Sequence, residues 1–390
     1  MYIDLLQLYT QSINHSEIEL LKFIISSIYG DSILNKLYTR SLFQNIDSIT
    51  VDNETLFSQL SNNTIHYNKL LNVERFISKI PDYLPYFSNT FANILNKESS
   101  ISLHKKLFLG IIAASSLHSK FLYSELEREY LINEGNEEWL IHGLDVAEKK
   151  YAKYAKINNI LLNQPWALKK GDIIEVYNPK DPSAKLSEFI EACLILTSYQ
   201  RLASIISALH LSFDDNYIAK NENDTNYASN NEKFFNKFIS SYCPKFQDIG
   251  GKNNVFLSEI AYNWEDSGFY FLENYCKDLV RAINDEIVFL TEMNEHRTIE
   301  FYIGLILGMK NESYDYSLIN KDKYTNITNK IFLKKIVSSP DTINLFELDL
   351  LRIKHSDDKI LYLILLATVL RQKIQLTYLS KYLDEIVKEE

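Results

Sequence analysis

The chain has few of the residues that break regular structure or form covalent cross-links. Its 390 residues include only 10 Gly and 7 Pro, which are too few for a fold of many short strands and tight turns, so helices are favoured. The three cysteines, Cys193, Cys243 and Cys276, are widely spaced and form no Cys-X-X-Cys pair. This argues against a disulfide framework and a cysteine metal site, and it is typical of a reducing compartment.

Basic charge and long apolar runs are also scarce. Lys and Arg number 41 against 51 Asp and Glu, and the net charge of −10 opposes binding to a phosphate backbone. The first residues lack a basic stretch followed by an apolar core, and the longest apolar runs, 107–117 and 360–370, are too short to span a bilayer. We therefore expect a cytosolic or nuclear protein with no nucleic-acid partner and no membrane span.

Apolar residues recur at helical spacing in several stretches. One stripe predicts a single continuous core helix and consists of Phe108, Ile112, Ser115, Ser119, Leu122 and Leu126. A second helix is predicted from Leu186 towards Leu211, and amphipathic runs cover residues 302–309 and 360–370. These patterns predict an all-α protein.

The length of the chain favours two domains rather than one. Residues 212–233 are polar, rich in Asn and Asp, and have no apolar period. We therefore predict an N-terminal helical domain over residues 1–211, a flexible linker over 212–233 and a C-terminal helical domain over 234–390.

Several side chains that could carry chemistry have a simpler structural interpretation. Glu125 and Glu129 lie one helical turn apart near Glu127, but no histidine pair accompanies them, so solvated charge is expected rather than a metal site. Residues 149–156 alternate Lys with Tyr, which could grip single-stranded nucleic acid, but a solvated helical face is expected in this acidic chain.

A serine nucleophile with a histidine base is suggested by the adjacent His118 and Ser119. Neighbours on a helix point about 100° apart and cannot easily share a hydrogen bond, so a small hydroxyl packed inside a bundle is the preferred interpretation of Ser119. Cys193 lies on an apolar stripe, which favours a structural thiol.

Several widely separated segments resemble one family, the sestrins. Before the predicted linker they are residues 108–114, 139–144, 164–166, 186–189 and 196–204. Beyond it, Trp-Glu-Asp-Ser-Gly at 264–268, Tyr-Asp-Tyr at 314–316 and His-Ser-Asp at 355–357 continue the similarity in the same order. The resemblance implies two alkylhydroperoxidase-like helical domains packed with approximate two-fold pseudosymmetry.

The resemblance also implies that a catalytic relay has been lost. Sestrins carry in their first half a Cys, a Tyr two positions later and a His five beyond that, and the matching positions here are Ser119, Phe121 and Leu126. A serine hydroxyl stays protonated and cannot pass through a sulfenic acid, so we expect a non-enzymatic protein without a cofactor or metal. An alkyl hydroperoxide reductase that uses Cys193 remains the alternative.

Animal sestrins bind leucine in their second half, and the resemblance implies a corresponding site. An Arg holds the carboxylate and an acid holds the ammonium, for which Arg297 and either Asp357 or Asp358 are the best matches. The lid is shortened to residues 287–296, and Leu350 or Leu351 stands where the pocket has a Trp. Whether leucine, another amino acid or none binds stays open.

Sestrins restrain the target-of-rapamycin growth kinase by binding a GATOR complex, and the resemblance implies a partner-binding face. The acidic pair before Tyr-Asp-Tyr becomes Glu312 and Ser313, while Asp315 is retained and Lys185 replaces a contributing Ser. The expected function is therefore a stress and nutrient regulator that acts through a GATOR-type complex.

Overall fold

The computed structural model describes residues 72–95, 99–181, 184–211, 262–292, 297–309, 314–322 and 325–389. The predicted linker, residues 212–233, and the start of the predicted C-terminal domain lie outside these ranges. The described residues form helices and contain no strand, which confirms the all-α prediction.

The helices before residue 212 form the first half of the described chain. They are α1 (Asn72–Ile77), α2 (Leu84–Leu95), α3 (Leu103–Ser116), α4 (Lys120–Ile132), α5 (Glu137–His142), α6 (Lys149–Asn163), α7 (Lys170–Val176) and α8 (Leu186–Ala208). The second half follows, beginning with the π-helical turn Trp264–Gly268. Its α-helices are α9 (Phe269–Glu273), α10 (Lys277–Thr291), α11 (Arg297–Ile306), α12 (Ile327–Ser338), α13 (Leu345–Arg352) and α14 (Asp357–Glu389).

Three helices end on a left-handed residue that is not glycine. After α3, His118 has φ of 52°, and the amide of Ser119 donates back to the carbonyl of Ala114 at 3.0 Å. Glu134 after α4 and His210 after α8 take the same role, with φ of 62° and 50°. In this arrangement the amides that follow the helix donate hydrogen bonds to the last unpaired carbonyls of the helix, and the left-handed residue is usually Gly.

The prediction of one continuous helix from Phe108 to Leu126 is therefore wrong. The stripe is divided between α3 and α4, and Ser119 begins the second helix instead of lying within one. The apolar period continues across the break because both helices bury their stripe in the same core. No Gly or Pro marks the turn, so the break could not be predicted from residue types.

The centre of the protein is formed by α8 and α14, which pack against each other. By length and composition both could cross a membrane, but their most apolar windows are 100% and 94% buried within the protein. Helices α3 and α6 pack on α8, while α10, α11 and α12 pack on α14. One continuous apolar core therefore contains residues from both predicted halves, from Val73 to Ile386.

A chain of buried amides joins the two central helices. The side-chain amide of Gln375 on α14 donates to the side-chain oxygen of Gln200 on α8 at 2.8 Å. Gln200 in turn donates to Asn158 on α6 at 2.7 Å, and Asn158 donates to the Ser116 hydroxyl at 2.8 Å. Because a buried polar atom without a partner is costly, this chain favours one register of α14 on α8.

A buried ion pair links the two halves a second time. The Arg201 guanidinium on α8 lies 2.7 Å from Glu286 on α10, and both side chains are 0% exposed. Thr90 and Tyr83 donate their hydroxyls to the same carboxylate, the first at 2.5 Å. Burial and the neighbouring carboxylate raise the pKa of Tyr83 well above its usual value, which keeps the phenol a donor.

Arg371 on α14 is a second fully buried guanidinium, and it has a different kind of partner. It donates to the Ser204 hydroxyl at 3.0 Å and points at the carbonyls of Ile336 and Val337, each 3.4 Å away. Those carbonyls belong to the last turn of α12, where the helix dipole is negative. Burial lowers the pKa of Arg371 to about 9.

Helix α4 buries two of the carboxylates expected on the surface. Glu125 is 9% and Glu127 only 2% exposed, so the prediction of solvated charge is wrong for these two residues. Arg128 compensates by pairing with Glu125 at 2.8 Å and Glu129 at 3.2 Å. Burial raises the pKa of Glu127 from 4.5 to about 7.

Replacing Glu286 with Gln should destabilise the protein strongly. The amide keeps the shape of the carboxylate but leaves the Arg201 charge buried without a counter-ion, which costs about 3 kcal/mol or more. Urea unfolding followed by circular dichroism measures the loss. The matched control is Glu273→Gln, because Glu273 pairs with the half-exposed Arg281 and should contribute about 1 kcal/mol or less. Equal losses in the two variants would contradict the argument.

The raised pKa of Glu127 predicts a pH-dependent contribution to stability. The pKa of Glu127 in the folded state lies above its unfolded value, so the folded state holds the proton more tightly. The protonated side chain therefore favours folding at low pH, and this stabilisation is lost as pH rises from 4.5 to about 7. Relative to wild type, Glu127→Gln should therefore gain about 2 to 3 kcal/mol in unfolding free energy between pH 4.5 and pH 8. A difference between the two proteins that stays constant over this range would contradict the prediction.

Candidate functional site

The three relay positions lie along the first two turns of α4, from its N-cap Ser119 to Leu126, and are packed with apolar atoms. Ser119 is 5% exposed, and within the described residues its hydroxyl has no hydrogen-bond partner. Phe121 and Leu126 are 8% and 1% exposed. The place where the resemblance puts a thiol, a phenol and an imidazole therefore holds one hydroxyl and two hydrocarbon side chains.

Close packing against α3 fills the space beside Leu126. A Cβ atom at Gly110 would come within 2.9 Å of the Tyr199 ring and 3.1 Å of Leu126. Gly110 is therefore needed for α3 to approach α8 and α4 this closely. The contact explains why Leu126 is a core residue here.

His118 does not act on Ser119. Its left-handed backbone directs the ring towards the second half, where Nδ1 lies 3.1 Å from the carboxylate of Asp341. The pair is partly exposed, with side-chain exposures of 44% and 33%. The arrangement joins the end of α3 to the turn Pro340–Thr342. His118 and Ser119 form no dyad among the described contacts, but the helical geometry used to argue against one does not apply, because the two residues lie in the turn between α3 and α4.

The thiols of the described residues are poorly suited to nucleophilic chemistry. Cys193 is 0% exposed on α8, as predicted for a structural thiol, and burial raises its pKa. Burial, and to a lesser extent Glu191, raises the pKa of Cys276 to about 12, although Lys106 opposes the shift. A thiolate is the reactive form, so both groups are almost entirely unreactive at neutral pH. Cys243 lies outside the described residues.

The candidate amino-acid residues stand at the starts of two helices. Arg297 begins α11, is exposed, and places its guanidinium 5.6 Å from the centre of the Phe301 ring. Asp357 begins α14 and accepts a hydrogen bond from Arg352 at 3.3 Å, while Asp358 is exposed. Within the described residues no ion pair joins Arg297 to either aspartate, so each charged group has its own surroundings.

Sequence reasoning missed the aromatic group beside Arg297. The rings of Phe301 and Tyr314 are stacked with their centres 3.8 Å apart, and Tyr316 meets Tyr314 edge-on at 5.2 Å. The only available signal was the pair of tyrosines in Tyr-Asp-Tyr, which could not be assigned to α11 without the fold. Leu350 and Leu351 are the two candidates for the position of the pocket Trp, and the first is half-buried while the second is fully buried.

The candidate partner-binding residues lie in two places. Asp315 is exposed and caps the short helix Tyr316–Asn320, where it accepts from the Ser317 amide and hydroxyl, each at 2.9 Å. These hydrogen bonds lower the pKa of Asp315 and keep it charged. Lys185 is exposed immediately before α8. Glu312 and Ser313 lie outside the described residues.

The predicted solvated face of residues 149–156 is amphipathic. Tyr151 and Tyr154 are 2% and 5% exposed and pack in the core, while Lys150 and Lys156 pair with acids at the surface. Stacking of bases on these tyrosines is therefore excluded. No group of three or more His, Cys, Asp or Glu side chains that could hold a metal occurs in the part of the chain that the structure describes.

Comparison with known proteins gives one family. A family model described as PA26 p53-induced protein (sestrin) matches residues 39–248, which is more than half of the chain. Sestrin-1 of Macaca fascicularis is 30% identical over 124 residues, covering 32% of this chain and 25% of that protein. Sestrin-2 of Homo sapiens is 28% identical over 126 residues, covering 32% of this chain and 26% of that protein.

A more distant relative gives the same result. The sestrin homolog of Dictyostelium discoideum is 24% identical over 148 residues, covering 38% of this chain and 24% of that protein. The matched part of the chain thus spans about a quarter of the length of these relatives. With a family model that covers more than half of its length, the chain belongs to the sestrin family as a divergent member.

Proposed function

We propose that this protein is a non-enzymatic, sestrin-like regulator of stress and nutrient signalling. It acts by protein contact, inhibiting target-of-rapamycin complex signalling through a GATOR-type complex. Membership of the sestrin family supports the regulatory role, and the relatives are named as sestrins, not as peroxidases. The observation that carries the non-enzymatic part is the apolar packing at Ser119, Phe121 and Leu126.

The alternative, an alkyl hydroperoxide reductase, would need another thiol. Peroxide reduction begins with attack by a thiolate, and the two described thiols have pKa values far above neutrality because they are buried. Neither Cys193 nor Cys276 has an imidazole beside it in the described contacts. These observations favour the regulator over the enzyme.

The partner surface is proposed around Asp315. Its carboxylate is exposed, charged and held in one orientation by Ser317, so little conformational entropy is lost when a basic group of a partner pairs with it. Lys185 adds an exposed charge of opposite sign elsewhere on the surface. A GATOR-type complex is proposed as the partner on the strength of the family.

An amino-acid response is the regulatory part of the proposal. Arg297 is exposed beside an aromatic stack, which offers a charged group and an apolar surface within one short region. An amino acid with an apolar side chain, such as leucine, presents the matching carboxylate and hydrocarbon. Asp358, exposed at the start of α14, is the candidate partner for the ammonium, since Asp357 is bonded to Arg352.

The protein should not turn over peroxide, and its described thiols should react slowly. In a Cys243→Ser background, a pKa of about 12 leaves only about one Cys276 in ten thousand as thiolate at pH 8. Labelling with a disulfide reagent should be at least about a hundredfold slower than for free cysteine, and should become fast for both thiols in denaturant. Thiol-dependent peroxide consumption that Cys193→Ser abolishes would overturn the non-enzymatic proposal.

The immobilised chain should capture a purified animal GATOR complex, and Asp315→Asn should weaken this capture about tenfold or more. The Asn side chain keeps the helix cap, so only the charge is lost. Asp145→Asn, which removes another exposed acid, is the matched control. Equal capture by the Asp315 and Asp145 variants would refute the assigned surface.

Leucine at millimolar concentration should change capture of the complex by the wild type but not by Arg297→Ala.

A further inference from the structure

Helix α12 presents an apolar stripe to solvent. Ile327 is 75% and Ile331 46% exposed, and the two residues lie one helical turn apart. Single exposed isoleucines are common on protein surfaces, but two at a spacing of four residues form a continuous apolar strip. This strip is the start of a surface that the proposed function does not use.

Lysines continue the same stripe. Lys330 and Lys334 stand three and seven residues after Ile327, so both side chains project from the same side of the helix as the isoleucines. We call the four residues, Ile327, Lys330, Ile331 and Lys334, the α12 face. It combines two apolar side chains with two positive charges.

The charges of the α12 face have no acidic partner among the described residues. Lys330 reaches only the neutral side chain of Asn320, at 2.6 Å, and lies 6.0 Å from the centre of the Tyr302 ring. Lys334 is exposed, and helix α12 contains no Asp or Glu. By contrast, the neighbouring Lys335 pairs with Glu347 at 2.6 Å.

The opposite side of α12 fixes the face in place. Four residues on that side are less than 3% exposed: Phe332, Leu333, Ile336 and Val337. Asn326 caps the first turn by accepting from the amides of Thr328 and Asn329, and Tyr302 donates to the Lys330 carbonyl at 3.2 Å. The α12 face is therefore ordered before any partner arrives, which reduces the entropy lost on binding.

We propose that the α12 face is a docking site for an acidic amphipathic helix of a partner protein. Two apolar anchors on the partner, one turn apart, would pack across Ile327 and Ile331, and carboxylates beside them would pair with Lys330 and Lys334. The charge supports this occupant over the others. A second copy placed face to face would bring four lysines together without an acid, and the two lysines are fewer than the about four to eight basic residues typical of a site for anionic membranes.

The test uses the full chain and a fluorescein-labelled helical peptide of about 18 residues, long enough to hold a helix. The peptide carries two leucines four positions apart with glutamates beside them, and a second peptide replaces the glutamates with lysines. Fluorescence anisotropy should show binding of the acidic peptide only, and the binding should weaken as salt is raised.

Ile327→Glu should reduce the affinity for the acidic peptide about tenfold or more, as loss of a central apolar anchor does. This variant should fold normally, because the position is exposed and an acid at the first residue of a helix is favourable. Lys334→Glu should also weaken binding. Ile132→Glu is the matched control, since Ile132 is 67% exposed on α4, and its affinity should be unchanged.

Three results would overturn the proposal. One is equal peptide affinity in Ile327→Glu and Ile132→Glu. Another is a concentration-dependent dimer in analytical ultracentrifugation that Ile327→Glu abolishes, which would make the face a contact between copies. The third is binding to vesicles with anionic lipid that the same variant abolishes. None of these readouts depends on the Asp315 surface. Failure of the α12 docking site would therefore leave the proposed function standing, and failure of the proposed function would leave the docking site standing.

Discussion

Helices α8 and α14 pack against each other at the centre of the protein, and this contact sets the positions of the other helices. Each is buried along nearly its whole apolar length, and the chain of amides from Gln375 through Gln200 and Asn158 to Ser116 crosses their contact. A shift of one residue along either helix would leave these amides buried without partners, at a cost of about 1 to 3 kcal/mol for each group. The remaining helices pack on this pair, so their places follow from it.

Two buried arginines on these helices are stabilised in different ways. Arg201 has a counter-ion in Glu286 of the second half, whose other carboxylate oxygen accepts a hydrogen bond from Tyr83 of the first half. Arg371 has no acid among its described contacts and lies instead at the negative end of α12. The second arrangement ties the orientation of α12 to α14, and through it the direction of the outward-facing α12 surface.

The residues of the interior serve to pack the helices together, and the residues suited to binding a partner lie on the surface. Along the first two turns of α4 the relay positions hold Ser119, Phe121 and Leu126, and the buried thiols have raised pKa values. At the surface, Asp315 is charged and oriented, Arg297 lies beside an aromatic stack, and α12 exposes two isoleucines that alternate with two lysines. This division supports a protein that works by contact with partners.

Residue patterns alone were enough to predict the helical class, the course of α8, the burial of Cys193 and, through motifs spread along the chain, the family. These follow from local periodicity and residue identity. The sequence could not locate the break at His118, because a left-handed residue there is fixed by the packing of two helices and not by Gly or Pro. Nor could it show that Glu127 is buried, that Arg201 pairs with Glu286, or that Tyr314 stacks on Phe301. Those features depend on how helices that are distant in the chain pack together, which no local pattern of residues specifies.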